Sequence, residues 1–338
     1  MNCFRNVFVV AALGVAAGVA SASPYSGLVI FGDSLSDAGN IALAIGADPT
    51  QVITGNGYIP NQPYASGQFS NGNVWAKTFA TALGFGSAAV PSLAGGSDYA
   101  FGGARMATDG AGLAPSLSVQ TSMYLGAHGT AAGDALYVVE GGGNDARDAL
   151  MAAAAAADPF AAIAAAASAY ALATGAIVDR LQAAGAQHIV VWDVPDLGTV
   201  PAVTSLGAGA SFLGTQIALA MNGALSARMA GETGVSIFDF FALEEDIVAR
   251  PGAYGLLNAT DACGALASCN PSTYLFWDGI HPTSAGHALL AQGMLAAVAV
   301  PEPAPYALVL AGLVLMRLRM HRESTAGRAD LGHQGHAG

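Results

Sequence analysis

The sequence predicts an α/β fold with a central parallel sheet, and two features carry that prediction. The first is a set of four apolar runs with the composition of buried strands: "GLVIF" from Gly27, "ALYVV" from Ala135, "HIVVW" from His188 and "VSIFDF" from Val235. Continuous apolar runs are typical of parallel strands buried on both faces. The second feature is the alanine-rich sequence between the runs, which has the length and composition of helices. Strands that alternate with helices form an α/β sandwich.

Two of the predicted helical stretches cover residues 149–173 and 215–230. Leucine, isoleucine and tyrosine interrupt the alanine run, which favours a packed helix over a low-complexity segment. Asp158 and Pro159 lie inside the first stretch, and an aspartate followed by proline predicts a break in a helix. We therefore expect the first stretch to be interrupted at that point.

Residues 45–112 differ from the rest of the chain because they are rich in Gly, Asn, Ser and Pro. Within them, "GNGYIPNQPYASGQFSNGNVW" has the composition of an ordered surface loop rather than a linker. Loops of this length inside a domain are usually functional. We therefore expect this loop to lie near a site.

The bulk composition restricts the class of protein. Hydrophobic residues make up 53% of the 338 residues and charged residues 10%, which predicts a sizeable core and excludes a disordered chain. The formal net charge is −12. A chain with this charge has no basic surface to offer a phosphate backbone, so a nucleic-acid partner is not expected.

The N-terminal residues 1–22 have the layout of a cleavable secretory signal. Arg5 precedes the apolar run "VFVVAALGVAAGVA", and small residues follow at positions 20–22. A first transmembrane anchor is the alternative. An exported chain matures in an oxidising compartment, where Cys263 and Cys269, separated by "GALAS", predict a small-loop disulfide rather than a metal site.

The C-terminal residues 300–338 carry a second targeting pattern, "VPEPAPYALVLAGLVLMRLRMHR". The apolar residues 306–316 are shorter than the roughly 20 that a stable membrane-spanning helix needs, and arginines follow them, as the positive-inside rule favours for a cytoplasmic end. The segment resembles the PEP-CTERM sorting signal of exported bacterial proteins, although residues 323–338 form a longer tail than such signals have.

The PEP-CTERM resemblance implies a sorting protease that cuts near the Pro-Glu-Pro and a transient membrane association through the tail. We accordingly predict a signal peptide over residues 1–22, one folded domain over residues 23–299 and a sorting segment over residues 300–338. The expected location is the periplasm, the cell surface or the extracellular matrix of a bacterium.

A serine hydroxyl follows the first predicted strand, in "FGDSLSDAGN". Ligands of open α/β sheets bind beyond the carboxyl ends of the strands, where helix N-termini also offer unpaired N–H donors, so Ser34 is placed for chemistry. The alternative is that Ser34, Ser36 or Asp37 caps the next helix.

An aspartate and a histidine stand three residues apart in "YLFWDGIHPTSAGHALL". Pro282 suits the first turn of a helix, which would put Asp278 and His281 in the loop that enters it. The aspartate can then accept the imidazole Nδ1–H and leave Nε2 free to take a proton. Taken alone, such a pair is more often a surface feature or a helix cap.

Two glycine-rich turns, "SDYAFGGARM" and "EGGGNDARD", lie between the serine and the histidine. An acyl-transfer enzyme needs backbone or amide N–H groups close to the oxyanion of its tetrahedral intermediate, and glycine and asparagine provide them. The alternatives are an ordinary strand-to-helix turn and a phosphate-binding loop. No Lys-Ser/Thr pair follows, which excludes the Walker-type phosphate loop.

These four segments, in this order, resemble the GDSL (SGNH) hydrolase family of lipases and esterases, from Gly27 to about Val298. The resemblance implies a flavodoxin-like three-layer α/β/α sandwich. It also implies five site residues: Ser34 as nucleophile, His281 as base, Asp278 as the partner of the base, and Gly103 and Asn144 as oxyanion donors beside the Ser34 amide. No cofactor is required, and the sequence shows no metal-binding constellation.

Asp98 departs from the family pattern, which often has asparagine before the glycine pair. Counting from Asp98 selects Gly103 rather than Gly102 as the donor. Trp277 and Tyr99 are candidates to shape an acyl pocket, with core packing as the alternative.

The resemblance implies an exported serine esterase or lipase that forms an acyl-enzyme on Ser34 and acts on a small-molecule or lipid ester. A phospholipase or acyltransferase would use the same residues. A non-catalytic envelope or matrix protein on a hydrolase fold is an alternative from a different class.

Overall fold

The structure is a computed structural model that describes residues 23–46, 64–65, 67–109, 114–299 and 316–317. The predicted signal peptide over residues 1–22 lies outside these residues, as does the sorting segment over residues 300–338 apart from positions 316 and 317. The structure therefore bears on the predicted central domain.

The central sheet has four parallel strands, in the order β1-β2-β3-β4. Their bounds are Leu28–Phe31 (β1), Leu136–Val139 (β2), His188–Trp192 (β3) and Val235–Phe238 (β4). Each lies within one of the four apolar runs. Leu28 pairs with Leu136 and Leu136 pairs with His188, so the carboxyl ends of the strands lie along one edge. The predicted α/β fold with a parallel central sheet is confirmed.

The prediction of a buried strand is wrong for β4. The strands β1 and β2 are buried along their whole length, but Phe238 is the only buried residue of β4. Both β1 and β4 are edge strands, but the outer side of β1 is covered, because Ile30 forms a bridge with Asp98 there. Among the described residues, no such bridge covers the outer side of β4.

Nine helices and a small second sheet complete the described part of the chain. The helices are Asn40–Ile45 (α1), Trp75–Ala82 (α2), Leu117–His128 (α3), Gly143–Ala155 (α4), Pro159–Ala183 (α5), Pro201–Thr204 (α6), Ala208–Met229 (α7), Phe240–Ala249 (α8) and Ser284–Val298 (α9). The second sheet pairs Asn258–Ala262 (β5) with Tyr274–Phe276 (β6). Short 3₁₀ turns occupy Ser92–Ala94, Pro251–Tyr254, Cys263–Ala265 and Pro271–Thr273.

The predicted helix break lies between α4 and α5. The carboxylate of Asp158 caps α5 by accepting the N–H of Ala161 at 3.1 Å, and Pro159 is its first residue. Proline is favoured at this position because its missing N–H has no partner in the first turn. By length and composition α5 is apolar enough to cross a membrane, but it packs against α4 and α7 and buries Ile177 and Leu181 in the core.

Helices cover both faces of the central sheet. Successive strand residues point to opposite faces, and alternate residues such as Val29, Tyr137 and Ile189 join one core with side chains of α3, α4, α5 and α7. On β3, Trp192 belongs to the alternate set, and its ring centroid lies 4.6 Å from that of Trp75 on α2. The arrangement is the three-layer sandwich expected.

The glycine-rich loop prediction needs correction where the structure describes it. Tyr64, Ser70 and Val74 are buried rather than at the surface, and α2 begins immediately afterwards at Trp75. Polar loop composition therefore did not mean exposure, because these residues pack beside the site described below.

The last helix begins two residues later than the sequence predicts. Pro282 forms an isolated antiparallel bridge with Phe276, and the Thr283 hydroxyl caps α9 by accepting the Gly286 N–H at 3.0 Å. The chain divides after Met294 into two compact units, and every site element described below lies in the first. In the second, the described residues are the end of α9 and a helical pair at positions 316 and 317.

Candidate active site

Residues 32–40, here the nucleophile turn, connect β1 to α1 and carry Ser34. The Gln120 side chain fixes the start of the turn by accepting the Gly32 N–H and donating to the Gly32 carbonyl, both at 2.9 Å. The Asp33 carboxylate accepts the Leu35 N–H at 3.0 Å. Ser34 is 8% exposed. The turn therefore presents one hydroxyl at the sheet edge on a fixed backbone.

Asp37 holds the far side of the nucleophile turn through four backbone N–H groups. It accepts hydrogen bonds from Gly39 at 2.8 Å, Asn40 at 2.6 Å, Ile41 at 3.2 Å and Gly102 at 2.9 Å. Burial raises the pKa of Asp37 to about 6 even though these hydrogen bonds lower it. These contacts give the aspartate a structural role in the turn.

A buried network lies beneath the turn. The Glu140 carboxylate, at the end of β2, accepts the Ser36 hydroxyl at 2.7 Å and the Asp33 N–H at 3.3 Å. The Trp75 indole donates to the Ser36 hydroxyl at 3.0 Å. Burial raises the pKa of Glu140 well above its ordinary value and that of Asp33 to about 6. The acids below Ser34 are thus held where ionisation is costly.

Residues 277–283, here the histidine loop, connect β6 to α9. The Asp278 Oδ1 atom accepts the N–H groups of Ile280 at 2.8 Å and His281 at 2.7 Å, and its Oδ2 atom lies 2.6 Å from His281 Nδ1. Burial acts to raise the pKa of Asp278, but the charge and hydrogen bond of His281 outweigh it, so the pKa is lowered. The carboxylate is thus kept ionised although fully buried.

The structure brings Ser34, His281 and Asp278 into one hydrogen-bonded row. His281 Nε2 lies 2.8 Å from the Ser34 hydroxyl oxygen, across 247 residues of sequence. Because the ionised Asp278 can only accept, His281 donates from Nδ1, which leaves the Nε2 lone pair for the serine proton. His281 is 5% exposed. The arrangement is that of a nucleophile, a base and an orienting carboxylate.

The glycine pair after Tyr99 provides one backbone donor. The Gly102 N–H donates to Asp37, whereas neither the Gly103 N–H nor the Ser34 N–H has a hydrogen-bond acceptor among the described residues. Gly103 has φ +84°, a conformation that favours glycine. These contacts support the choice of Gly103 over Gly102, because the Gly102 donor is already in use.

Asn144 lies in the first turn of α4 with its amide between the two turns. Its Nδ2 atom donates to Asp33 Oδ2 at 3.3 Å and to the Ala104 carbonyl at 3.0 Å. Gly142, which caps the start of α4, has φ +110°, and a Cβ there would lie 2.6 Å from the Tyr170 ring, so glycine is required where the helix begins. Both amide hydrogens are engaged, so donation to a substrate requires release of the Asp33 contact.

Asp98, the departure from the family pattern, lies beside the nucleophile turn. Its carboxylate accepts the N–H groups of Ala38 at 3.0 Å and Ala100 at 2.9 Å, and its carbonyl accepts the Asn40 amide at 2.8 Å. The residue therefore links the nucleophile turn to the glycine turn. Burial raises its pKa well above the ordinary value.

A cavity opens beside Ser34 and His281. Its apolar wall comes from the nucleophile turn, from the loop after β3 and from the histidine loop: Leu35, Pro195, Leu197, Val200 and Ile280. Arg147 also lines the cavity and donates to the Asn144 side-chain oxygen at 3.3 Å. Tyr99 and Trp277 do not line it and are buried in hydrophobic clusters instead.

Several of these site contacts are absent from the sequence prediction. The Tyr64 hydroxyl donates to Asp278 Oδ2 at 2.5 Å from a position 214 residues away, and no local pattern indicates this. Arg147 could have been found, because it lies three residues after Asn144 and therefore shares a helix face with it.

The structure joins Cys263 and Cys269 in a disulfide with a Cα–Cα distance of 5.6 Å. The Gly264 N–H inside this small loop donates to the Trp277 carbonyl at 2.7 Å. The disulfide loop therefore contacts the start of the histidine loop. In the described part of the chain, no group of three or more His, Cys, Asp or Glu side chains is arranged to hold a metal ion.

Comparisons with known proteins identify the family of this chain. The model of the GDSL-like lipase/acylhydrolase family matches residues 28–294. Esterase EstA of Pseudomonas aeruginosa is 28% identical over 334 residues, which cover 80% of this chain and 46% of that protein. A GDSL esterase/lipase of Arabidopsis thaliana is 30% identical over 149 residues, which cover 37% of this chain and 41% of that protein.

Among solved structures, phospholipase A1 from Streptomyces albidoflavus NA297 is 18% identical with a TM-score of 0.38, over 80% of this chain and 99% of that one. The chain spans about half the length of the curated relatives it matches. The family model, in contrast, covers most of the chain and includes Ser34, Gly103, Asn144, Asp278 and His281. The chain therefore belongs to the GDSL-like lipase/acylhydrolase family.

Proposed function

We propose that the protein is a serine hydrolase that cleaves carboxylic esters through an acyl-enzyme on Ser34. The observation that carries this proposal is the hydrogen-bonded row from Asp278 through His281 to the Ser34 hydroxyl. Family membership supports it, as does the name of the related Esterase EstA. A small-molecule or lipid ester is the proposed substrate class.

In the first half of the reaction, the Ser34 oxygen attacks the ester carbonyl carbon and passes its proton to His281 Nε2. The 2.8 Å contact supports this transfer without rearrangement. Asp278 stabilises the imidazolium that forms. The tetrahedral intermediate then collapses, the bond to the alcohol oxygen breaks, and His281 returns the proton to the departing alcohol.

In the second half, water attacks the acyl-enzyme carbonyl and gives a proton to His281 Nε2. Collapse of this second intermediate breaks the bond to the Ser34 oxygen, which regains its proton from His281 and releases the acid. Splitting one displacement into two in this way is the purpose of a covalent intermediate. No cofactor enters either half.

The proposed oxyanion donors are the N–H groups of Ser34 and Gly103 and the amide of Asn144. The two backbone donors have no acceptor among the described residues, which supports their assignment. Asn144 joins them once its contact with Asp33 is exchanged for one with the substrate oxygen. The two backbone donors are fixed in advance, and such donors stabilise a developing charge at little reorganisation cost.

The apolar cavity beside Ser34 supports an ester with an apolar acyl group. Leu197, Val200 and Ile280 offer hydrocarbon surface next to the hydroxyl. The complete and buried set of catalytic groups favours an enzyme over the alternative of a non-catalytic envelope or matrix protein, because a protein without catalysis has no use for such a set. Transfer of the acyl group to an alcohol instead of water would use the same residues.

We further propose that the protein is exported and sorted, as predicted from residues 1–22 and 300–338. Both segments fall outside the described residues, apart from positions 316 and 317. The proposal, including the sorting protease and the transient membrane association, is supported by sequence pattern alone. The periplasm, the cell surface and the extracellular matrix are the proposed locations.

Labelling with a serine-directed fluorophosphonate tests the enzymatic proposal. We expect the native chain to form one adduct, located at Ser34 by mass spectrometry, and to hydrolyse a short-chain aryl ester. Ser34→Ala and His281→Ala should each lower turnover by about 10⁴-fold or more, because nucleophile and base act as one unit.

Ser36→Ala is the matched control, because Ser36 lies in the same turn with its hydroxyl directed to Glu140 rather than to the site. It should still be labelled. A native chain that takes up no label, or a Ser34→Ala variant that keeps full activity, would refute the proposal.

A further inference from the structure

We propose that Tyr64 is a positioning residue for the Asp278–His281 pair and extends the catalytic row by one member. The proposal rests on the proposed function, since the row has to act in hydrolysis for its geometry to matter. It arises from a contact that the three catalytic side chains alone do not explain.

Tyr64 contacts the oxygen of Asp278 that also faces the base. Its hydroxyl donates to Oδ2 at 2.5 Å, and the same Oδ2 lies 2.6 Å from His281 Nδ1. The other oxygen, Oδ1, accepts the N–H groups of Ile280 and His281. The carboxylate thus receives four hydrogen bonds, two on each oxygen, which prevents rotation about its χ2 bond.

The chain around Tyr64 is attached to the histidine loop at other points. Here the clamp segment means residues 64–65 and 67–72. The Phe69 ring lies 5.4 Å from the His281 ring, and the Ser70 hydroxyl donates to the Pro282 carbonyl at 2.9 Å. The clamp segment therefore fixes both the face of the imidazole and the backbone that follows it.

The beginning of α9 and the disulfide region complete this attachment. The Asn71 side chain accepts the Ser284 N–H at 2.9 Å. Tyr64 itself is 5% exposed and packs in a small cluster with Cys263 and Trp277. Packing against Cys263 and Trp277 therefore fixes the Tyr64 ring while its hydroxyl donates to Asp278, as a positioning residue requires.

The hydroxyl has two chemical effects on the pair. It fixes the plane of the Asp278 carboxylate, so that Oδ2 faces Nδ1 in the productive orientation. It also withdraws electron density from Oδ2, because a hydrogen bond to a carboxylate stabilises its charged form. Without this donor the carboxylate would hold the Nδ1 proton more tightly and stabilise the imidazolium at higher pH.

Tyr64→Phe tests the proposal, with Tyr274→Phe as the matched control. Tyr274 packs against the same cluster, but its hydroxyl has no hydrogen-bond partner among the described residues. With a short-chain aryl ester, Tyr64→Phe should lower kcat about tenfold with KM nearly unchanged, since a hydrogen bond to a charged group is lost. The control should keep the native kcat.

The pH profile of kcat/KM separates positioning from loss of structure. The acidic limb of Tyr64→Phe should move up by about half a pH unit, because the imidazolium is better stabilised. Asp33 and His287 also act electrostatically on this site, but they are the same in both variants. Partial unfolding would lower activity at every pH and leave the limb where it is.

The outcomes distinguish this inference from the proposed function. An active native chain with identical kcat and pH profile for both variants would overturn the role of Tyr64. A native chain without esterase activity would instead overturn the proposed function. In that case, the proton resonance of the His281 Nδ1–H still tests the contact, and it should shift in Tyr64→Phe and not in Tyr274→Phe.

Discussion

Asp37 in the nucleophile turn and Asp278 in the histidine loop are both completely buried, yet their environments act on them in opposite directions. Burial raises the pKa of Asp37 to about 6, although four backbone N–H groups point at it. Burial also acts to raise the pKa of Asp278, but His281 and Tyr64 reverse the effect and lower it. The number of hydrogen bonds does not explain the difference, because each carboxylate accepts four.

The chemical nature of the hydrogen-bond partners explains why the two pKa values shift in opposite directions. The partners of Asp37 are neutral backbone groups, whereas Asp278 faces an imidazole that becomes positively charged in the proposed reaction. A nearby positive charge favours the ionised form directly, and a short side-chain hydrogen bond adds to it. Asp37 therefore stabilises the fold, whereas Asp278 is placed to stabilise a positive charge on His281. Replacing each aspartate by asparagine should affect stability in the first case and turnover in the second.

Asp278→Asn should have the largest effect on turnover. The asparagine oxygen is drawn to the N–H groups of Ile280 and His281, which turns its amide NH₂ toward the imidazole. The imidazole must then accept at Nδ1 and carry its proton on Nε2, where it cannot take the Ser34 proton. We expect kcat to fall about 10⁴-fold, with the melting temperature measured in parallel. A variant within tenfold of native turnover would contradict the tautomer argument.

Asn144→Ala probes the nucleophile side of the site. It removes the proposed side-chain oxyanion donor and one hydrogen bond to Asp33. Turnover of an aryl ester should fall roughly 10²–10³-fold, the scale for loss of one such donor. Fluorophosphonate labelling of Ser34 should persist, since the row of Ser34, His281 and Asp278 is unchanged. Full turnover in this variant would mean that the oxyanion hole lies elsewhere.

Asp37→Asn should act on stability rather than chemistry. The new NH₂ group would face backbone N–H donors that now point at a carboxylate oxygen. Loss of hydrogen bonds to a charged group predicts a free energy of unfolding lower by about 2–3 kcal/mol. Urea denaturation measures this, and activity per folded molecule should be preserved. A large loss of kcat in the folded variant would show that the two aspartates are not functionally distinct.

The smallest expected effect concerns His287 and the pH dependence of the free energy of unfolding. Burial is the main cause that lowers its pKa to about 3, and its ring nitrogens have no hydrogen-bond partner among the described residues. The unfolded chain takes up a proton below about pH 6.5 while the folded chain does not, so this residue costs stability as pH falls. Asp37 acts in the opposite direction, because the folded chain protonates it first.

Comparison of the native chain with His287→Phe isolates the contribution of His287 to the pH dependence of stability, because Asp37 is present in both proteins. Between pH 7.5 and 5.5, the stability of the native chain relative to the variant should fall by about 1.4 kcal/mol. Thermal or urea unfolding at the two pH values measures the change. An unchanged difference would show that His287 takes up its proton as readily in the folded chain as in the unfolded chain.

The strands and the site positions could be predicted because they depend on local sequence. Each apolar run contains a strand, and Ser34 and His281 each lie in a short motif at the end of a predicted element. The break at Asp158 likewise follows from proline and capping chemistry. These are features in which neighbouring residues decide the conformation.

Features that depend on distant partners could not be predicted. The strand β5 has the sequence "NATDA", which lacks an apolar run and is ordered by pairing with β6. The burial of Tyr64 depends on Asp278, Cys263 and Trp277, all about 200 residues away. Polar composition in "GNGYIPNQPYASGQFSNGNVW" predicted exposure, whereas the hydroxyl and amide groups of its described residues are used inside the protein.

The proposed mechanism needs both Ser34 and His281, and the 247 residues that separate them make its assembly a late event in folding. The pairs β1–β2 and β2–β3 use residues that precede the histidine loop, so this part of the sheet, with the turn that carries Ser34, can form without it. That serine has no base until the histidine loop docks, and contacts of such long range form slowly. Recovery of the proposed esterase activity during refolding would therefore report when the histidine loop docks against the nucleophile turn.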